Sequence, residues 1–72
     1  MGVAVMNWIH VSSRDISAIA YEDGVLYISF NKGGVYKYIG VSESTYNNLR
    51  NASSIGGFFH KFIKGNYPYF KI

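Results

Sequence analysis

Two glycine-containing turns divide residues 16–39 into three short segments that all favour β-strands. Glu22-Asp23-Gly24 forms the first turn, with glycine where a positive φ is needed, and Asn31-Lys32-Gly33-Gly34 forms the second. The segments beside these turns are rich in β-branched and aromatic residues that alternate between two faces. Strands joined by such tight turns pair in antiparallel order, so the sequence predicts a three-stranded antiparallel β-meander.

The chain after residue 41 changes to a helical period. Ser42 is a candidate N-cap for a first helix, whose apolar positions recur every three residues (Tyr46, Leu49 and Ala52). A second helix is predicted after Ser53-Ser54, because four apolar residues there form two pairs with a spacing of four: Phe58 with Phe62, and Phe59 with Ile63. That spacing predicts that all four are buried.

The end of the chain is predicted to leave the helix and become extended. Gly65 is a natural helix stop, and Pro68 excludes helical geometry for the residue before it. The tail that follows is a candidate edge strand. The predicted fold class is therefore α+β: a small antiparallel β-meander of three or four strands, with two short helices packed on one face.

The chain is short enough to form one domain, which we place at residues 12–72, with residues 1–11 as a leader or an extra strand. No cysteine is present, so packing alone must hold the fold. Aromatic residues make up 18% of the chain, more than a core of this size needs, and this favours a homo-oligomer. The apolar opening lacks the charge of a secretory signal and the length of a membrane span, so the predicted compartment is the cytoplasm of a bacterium or of an infected host cell.

The charges are distributed unevenly along the chain. All four acidic residues precede residue 44, whereas four basic residues follow it among closely spaced aromatics (Arg50, Lys61, Lys64 and Lys71). Basic side chains interleaved with aromatic ones are typical of sites that bind phosphate groups and stack nucleobases. The alternative is a solvated basic face that serves solubility.

The turn at residues 53–57 has two interpretations. Ser54, Gly56 and Gly57 would let a phosphate approach backbone N–H groups at the start of a helix, or they are small because two helices pack closely there. In the first case the side-chain half of the site would come from Arg50, His60, Lys61 and Lys64.

Two further groups are candidate ligand contacts. Tyr36 and Tyr38 share one face of a predicted strand, where they form either core or a stacking platform for bases. Ser12, Ser13 and Arg14 form a polar cluster that would reach a phosphate, or would only be exposed turn residues. The two histidines and four acids are too scattered for a catalytic group or a metal site, so the sequence predicts no enzyme, no metal and no cofactor.

Residues across nearly the whole chain together resemble a known family pattern. The pattern consists of paired serines, an I-x-x-I-x-Y strand, an L-x-V-x-F strand, a central Y-x-Y and a glycine-led aromatic helix. This chain has Ile28 at the third position of the L-x-V-x-F strand. The matching residues are Ser12, Ser13, Ile16, Ile19, Tyr21, Leu26, Ile28, Phe30, Gly34, Tyr36, Tyr38, Val41, Tyr46, Leu49, Ala52, Ser54, Gly56, Phe58, Phe59, Ile63, Lys64 and Tyr67. In order and spacing the chain resembles the KTSC domain family, a module at the C-terminus of some lysyl-tRNA synthetases and also a stand-alone bacterial and phage protein. It departs from that pattern at Ser42, where proline is usual, and at His60, where asparagine is common.

The resemblance implies the fold above and, through the synthetase fusion, contact with RNA or a nucleotide. The predicted function is a non-catalytic binding module for a phosphate-bearing ligand. That ligand is either an RNA segment or a small, even cyclic, nucleotide signal held by an oligomer. Stand-alone phage proteins of comparable size sequester the nucleotide signals of bacterial immunity. That role is assigned to this chain only by analogy of size and chemistry. The alternative is a protein-interaction domain that uses the open face or edge of the sheet.

Overall fold

A computed structural model describes residues 7–72, which form one five-stranded antiparallel sheet with helical segments on one side. In chain order the elements are β1 (Ile9–His10), β2 (Ile16–Glu22), β3 (Val25–Phe30), β4 (Gly34–Ile39), α1 (Glu43–Arg50), α2 (Ile55–Phe58), a π-helical turn (Phe59–Ile63) and β5 (Tyr69–Lys71). The strands lie side by side in the order in which they occur. The α+β prediction is confirmed. The part of the predicted leader that covers residues 1–6 lies outside the described residues.

The sheet has five strands where three or four were predicted, because the candidate edge strand in the tail and the candidate extra strand before residue 12 both form. Ile9 of β1 pairs with Ile19 of β2, and Tyr69 of β5 pairs with Tyr38 of β4. The first turn has left-handed backbone at Asp23 (φ 50°) and Gly24 (φ 80°), which sets the two-residue hairpin that the sequence indicates. Since β1 and β5 contain only two and three residues, their propensity alone is too weak to define them.

The core lies on the sheet face that the helical segments cover. Leu26 lies opposite Tyr38 and Ile28 lies opposite Tyr36, which places these residues on the same face. α1 and the π-helical turn contribute the opposing layer, and together the buried cluster is Ile16, Ile19, Leu26, Ile28, Tyr38, Val41, Tyr46, Leu49, Phe59 and Ile63. No helix in residues 7–72 is long and apolar enough to cross a membrane.

The predicted burial of four residues in the second helix is correct for only one of the two pairs. Phe59 and Ile63 are buried and Phe58 is half-buried against the core, whereas Phe62 is 47% exposed, with its ring tilted and 4.7 Å from that of Phe58. Because successive helical residues are about 100° apart, Phe58 and Phe62 point in a different direction from Phe59 and Ile63, and of the first two only Phe58 packs against the core. The Lys64 N–H donates to the Phe59 carbonyl oxygen at 2.9 Å, which is the wide hydrogen bond of a π-helical turn.

Candidate functional site

A concave region of about 750 Å³ opens between the β3–β4 turn, the π-helical turn and β5. We call it the aromatic cavity. Its volume lies within the usual range for small-molecule sites. Its lining residues are Arg14, Asp15, Phe30, Asn31, Lys32, Gly33, Tyr36, Tyr38, Phe59, His60, Lys64, Gly65 and Tyr69.

Five aromatic rings make up the apolar part of the aromatic cavity. Phe30 packs edge-on against Tyr36 at 5.6 Å and against Phe59 at 5.5 Å. The ring of Tyr69 lies 5.8 Å from that of Tyr38, in a stacked arrangement, and 6.0 Å from that of Tyr36. These rings come from β3, β4, β5 and the π-helical turn, and their mutual packing fixes the shape of the surface that a ligand would meet.

Tyr38 carries a hydroxyl that the protein does not satisfy. The residue is only 5% exposed, and among the described residues Tyr21 is the tyrosine whose hydroxyl bonds a protein group, donating to the Val41 carbonyl oxygen at 2.6 Å. No polar side-chain atom in the described part of the chain is both sealed from solvent and unbonded, so the hydroxyl oxygen of Tyr38, a residue that lines the aromatic cavity, is accessible to solvent. Burial, and then the neighbouring phenols of Tyr36 and Tyr69, raise the pKa of Tyr38 to about 12, so this hydroxyl keeps its proton at neutral pH.

The rim of the aromatic cavity is basic, with one acidic residue. Arg14, Lys32 and Lys64 are exposed there, and His60 is half exposed beside them. Asp15 lies between two of these groups: its carboxylate is 3.6 Å from the Arg14 Nε and 3.6 Å from the His60 Nε2. Arg14 is 93% exposed, so its pairing with Asp15 contributes little to stability.

A second concave region, the serine cleft, adjoins the first. Its lining includes Ser12, Ser13, Ser53, Ser54, Gly56 and Gly57, and it shares Arg14, Asp15 and His60 with the aromatic cavity. None of its serine hydroxyls hydrogen-bonds His60 among the described residues, so no nucleophile and base are paired there. No group of three His, Cys, Asp or Glu side chains within residues 7–72 is arranged to hold a metal ion.

Two glycines of the serine cleft lie close to serine side chains. The Gly57 N–H donates to the Ser54 Oγ at 3.1 Å, so this backbone donor already has a partner. A Cβ on Gly57 would lie 2.9 Å from that same oxygen, and one on Gly56 would lie 3.2 Å from the Ser13 Oγ. The close neighbours of the two glycines are therefore serine side chains, from the cap of the same helix and from the segment before β2.

Most of the candidate residues gather at the two concave regions, but two do not. Arg14, Tyr36, Tyr38, His60 and Lys64 line the aromatic cavity, and the serine and glycine candidates line the serine cleft. Arg50 lies elsewhere, with its guanidinium 5.9 Å from the ring of Tyr46, and Lys61 lies against Phe62 at 5.4 Å.

Sequence reasoning missed several residues of the aromatic cavity. The sequence pattern identifies Lys32 only as part of a turn and Tyr69 as part of a candidate edge strand, and it assigns no site role to Phe30, Asn31 or Asp15. A usable signal existed for Lys32: the turn that contains it leads directly into the strand of Tyr36 and Tyr38. For Tyr69 there was none, because its position opposite Tyr38 depends on the β4–β5 register.

The chain is similar to several known proteins. The family model described as KTSC domain matches residues 12–67. A lysine–tRNA ligase of Nostoc sp. is 41% identical over 56 residues, which is 75% of this chain and 10% of the ligase. A lysine–tRNA ligase of Trichormus variabilis is 46% identical over 44 residues, which is 61% of this chain and 8% of that ligase. The chain thus spans about a tenth of the length of these relatives. The crystal structure of a KTSC domain protein from Yersinia pestis superposes with a TM-score of 0.90 at 40% identity and covers 94% of this chain and 99% of that one.

Proposed function

We propose that this chain, which belongs to the KTSC domain family, is a non-catalytic binding module for a phosphate-bearing ligand. The observation that carries this proposal is the aromatic cavity, where a set of aromatic rings is bordered by Arg14, Lys32 and Lys64. Rings offer a face on which a base stacks, and exposed cations bind phosphate oxygens. The ligand is either an RNA segment or a small nucleotide signal held by an oligomer, which includes the role of a phage protein that sequesters immune signals.

Each form of the ligand has support. The similarity to two lysine–tRNA ligases favours RNA, because those relatives bear the name of an enzyme that acts with tRNA. The bounded cavity favours a small nucleotide, since a long RNA needs basic groups along a continuous track. Arg50 and Lys61, the two candidate basic residues outside the aromatic cavity, each lie against an aromatic ring of their own helical segment.

A ligand screen tests the proposal. We expect the melting temperature to rise by several degrees with at least one member of a panel of nucleoside monophosphates, cyclic dinucleotides and a mixed-sequence RNA oligomer. Lys64→Ala should weaken that ligand about tenfold, because it removes one cation from the rim. Lys61→Ala is the matched control, with the same charge change outside the cavity, and it should leave affinity within a factor of two of the parent. If no panel member shifts the melting temperature, the proposal is wrong.

Asp15→Asn should strengthen binding of the same ligand by about two- to fivefold. Asp15 lines the aromatic cavity and its carboxylate repels a phosphate while competing for Arg14 and His60. The fold should be preserved, because the substitution leaves the backbone unchanged. The Asp15 carbonyl oxygen accepts a hydrogen bond from the N–H of Asn31, the residue after β3, at 2.8 Å. Isothermal titration of the parent and the variant measures the change. A weaker affinity for the variant would mean that the ligand does not place negative charge near this carboxylate.

A protein-interaction domain, with a homo-oligomer as one form of it, is the second candidate. The observation that favours it is β5, an edge strand on which Tyr69, Phe70 and the following Ile72 are 56–57% exposed. An exposed apolar edge is able to pair with a strand of another chain. Light scattering after size exclusion tests the homo-oligomer: Phe70→Lys should reduce the assembled mass to that of a monomer, and a parent chain that is already monomeric would contradict it.

A further inference from the structure

The hydroxyl of Tyr38 is a polar group of the aromatic cavity that does not belong to the basic rim. The side chain is more than nine-tenths buried, and its hydroxyl has no partner among the described residues. The hydroxyl oxygen itself is accessible to solvent, although most of the side chain is buried. Because Tyr38 lines the aromatic cavity, this oxygen is free to bond a ligand group there.

The distribution of charge across the aromatic cavity indicates which part of a ligand goes where. Tyr38 and Phe59 are buried and uncharged, whereas Lys32, Lys64 and Arg14 are exposed. A phosphate placed against buried neutral rings would lose its water without gaining a cation, which is costly. A planar ring placed there would instead bury apolar surface and offer a carbonyl oxygen or a ring nitrogen to the hydroxyl.

We propose that Tyr38, Tyr36 and Tyr69 form the floor that receives the base of a nucleoside phosphate, with the phosphate outward at the basic rim. This inference rests on the proposed function and adds an orientation to it. It assigns the hydroxyl of Tyr38 as a donor to the base, and the neighbouring rings of Tyr36 and Tyr69 as its apolar surroundings. It also commits to a single nucleotide rather than a polymer, because Phe30 and Phe59 lie beside this floor and the cavity has a volume of about 750 Å³.

The test separates base recognition from phosphate recognition with three probes. They are the nucleoside 5′-monophosphate with the highest affinity among the four common ones, its nucleoside, and ribose 5-phosphate. Tyr38→Phe should weaken the nucleotide and the nucleoside by the same factor, about five- to tenfold, at both low and high salt, because a neutral hydrogen bond is lost. Ribose 5-phosphate, which has no base, should bind the parent and Tyr38→Phe equally.

Tyr21→Phe is the matched control. It removes the same atom from a tyrosine whose hydroxyl bonds the Val41 carbonyl oxygen and which does not line the aromatic cavity. We expect it to lower the melting temperature by about 4 to 8 °C and to leave the three affinities unchanged. Tyr38→Phe should leave the melting temperature unchanged, because its hydroxyl has no protein partner to lose, and should weaken the nucleotide and the nucleoside.

The outcomes distinguish this inference from the function on which it rests. If the nucleotide binds and Tyr38→Phe leaves its affinity unchanged, or weakens ribose 5-phosphate equally, the orientation is wrong and the binding function stands. If a cyclic dinucleotide or the RNA oligomer binds and none of the mononucleotides does, the commitment to a single nucleotide is wrong. If no member of the panel binds, the proposed function fails, and this inference fails with it.

Discussion

Phe59→Ala is expected to destabilise the domain by about 3 to 5 kcal/mol, the usual cost of removing a buried phenylalanine. Phe59 is 2% exposed, and its ring lies 5.5 Å from both Phe30 and Tyr38, so the change opens a hole between the π-helical turn and the sheet. A domain of this length has a total stability of about 4 to 11 kcal/mol. The loss is therefore a large share of what holds the chain folded.

Phe62→Ala is the control for this change, with the same atoms removed three residues later. Phe62 is 47% exposed and contacts the ring of Phe58, so we expect a loss of about 1 kcal/mol or less. Urea denaturation followed by tryptophan fluorescence or circular dichroism measures both variants. If Phe59→Ala proves too unstable to fold, Phe59→Leu provides a smaller step of the same sign. Equal losses at the two positions would show that the π-helical turn does not direct Phe59 into the core.

These two phenylalanines also show how far periodicity alone leads. The spacing of four predicts a helix in which Phe58 shares a face with Phe62, and Phe59 shares a face with Ile63. It does not say which of these two faces points at the sheet. That choice depends on the direction in which the chain leaves Ser54, whose Oγ caps the start of α2 at the Gly57 N–H. It depends also on the wide turn after Phe59, for which the sequence has no recognised signal.

The sheet was more predictable than the cavity beside it. The turns at Gly24 and Gly34 and the alternation along β3 and β4 define the meander, because glycine turns and alternating burial are local properties. The aromatic cavity joins residues from β3, β4, β5 and the π-helical turn, so its composition is a property of the tertiary fold. Tyr36, Tyr38 and Lys64 were found from the sequence, and Lys32 and Tyr69 were not.

The sharpest difference concerns the basic residues. Net charge and its uneven distribution favoured Arg50, Lys61 and Lys64 as a group, yet only Lys64 lines the aromatic cavity. Arg50 instead lies beside Tyr46, where its charge partly offsets the rise that burial causes in the pKa of that phenol. A count of charges along the chain therefore does not say which basic residues lie together in the fold.

The double variant Lys32→Ala/Lys64→Ala turns that distinction into a measurement. If the aromatic cavity binds a nucleotide phosphate at its rim, each lysine is worth about tenfold in affinity, and the two together about a hundredfold, since they lie on separate elements. The ligand is the panel member that raises the melting temperature most, titrated at low and at high salt. The difference from the parent should shrink at high salt, because these side chains are exposed and their attraction is screened.

Lys37→Ala/Lys61→Ala is the matched control, because it removes the same two positive charges from outside the aromatic cavity. Lys37 lies against Phe70 at 6.0 Å on the opposite face of the sheet, and Lys61 lies against Phe62. A local site predicts that this control loses less than about threefold, which is the share due to overall charge. If both double variants lose affinity equally, the attraction comes from the charge of the whole molecule, and the aromatic cavity is not where the phosphate binds.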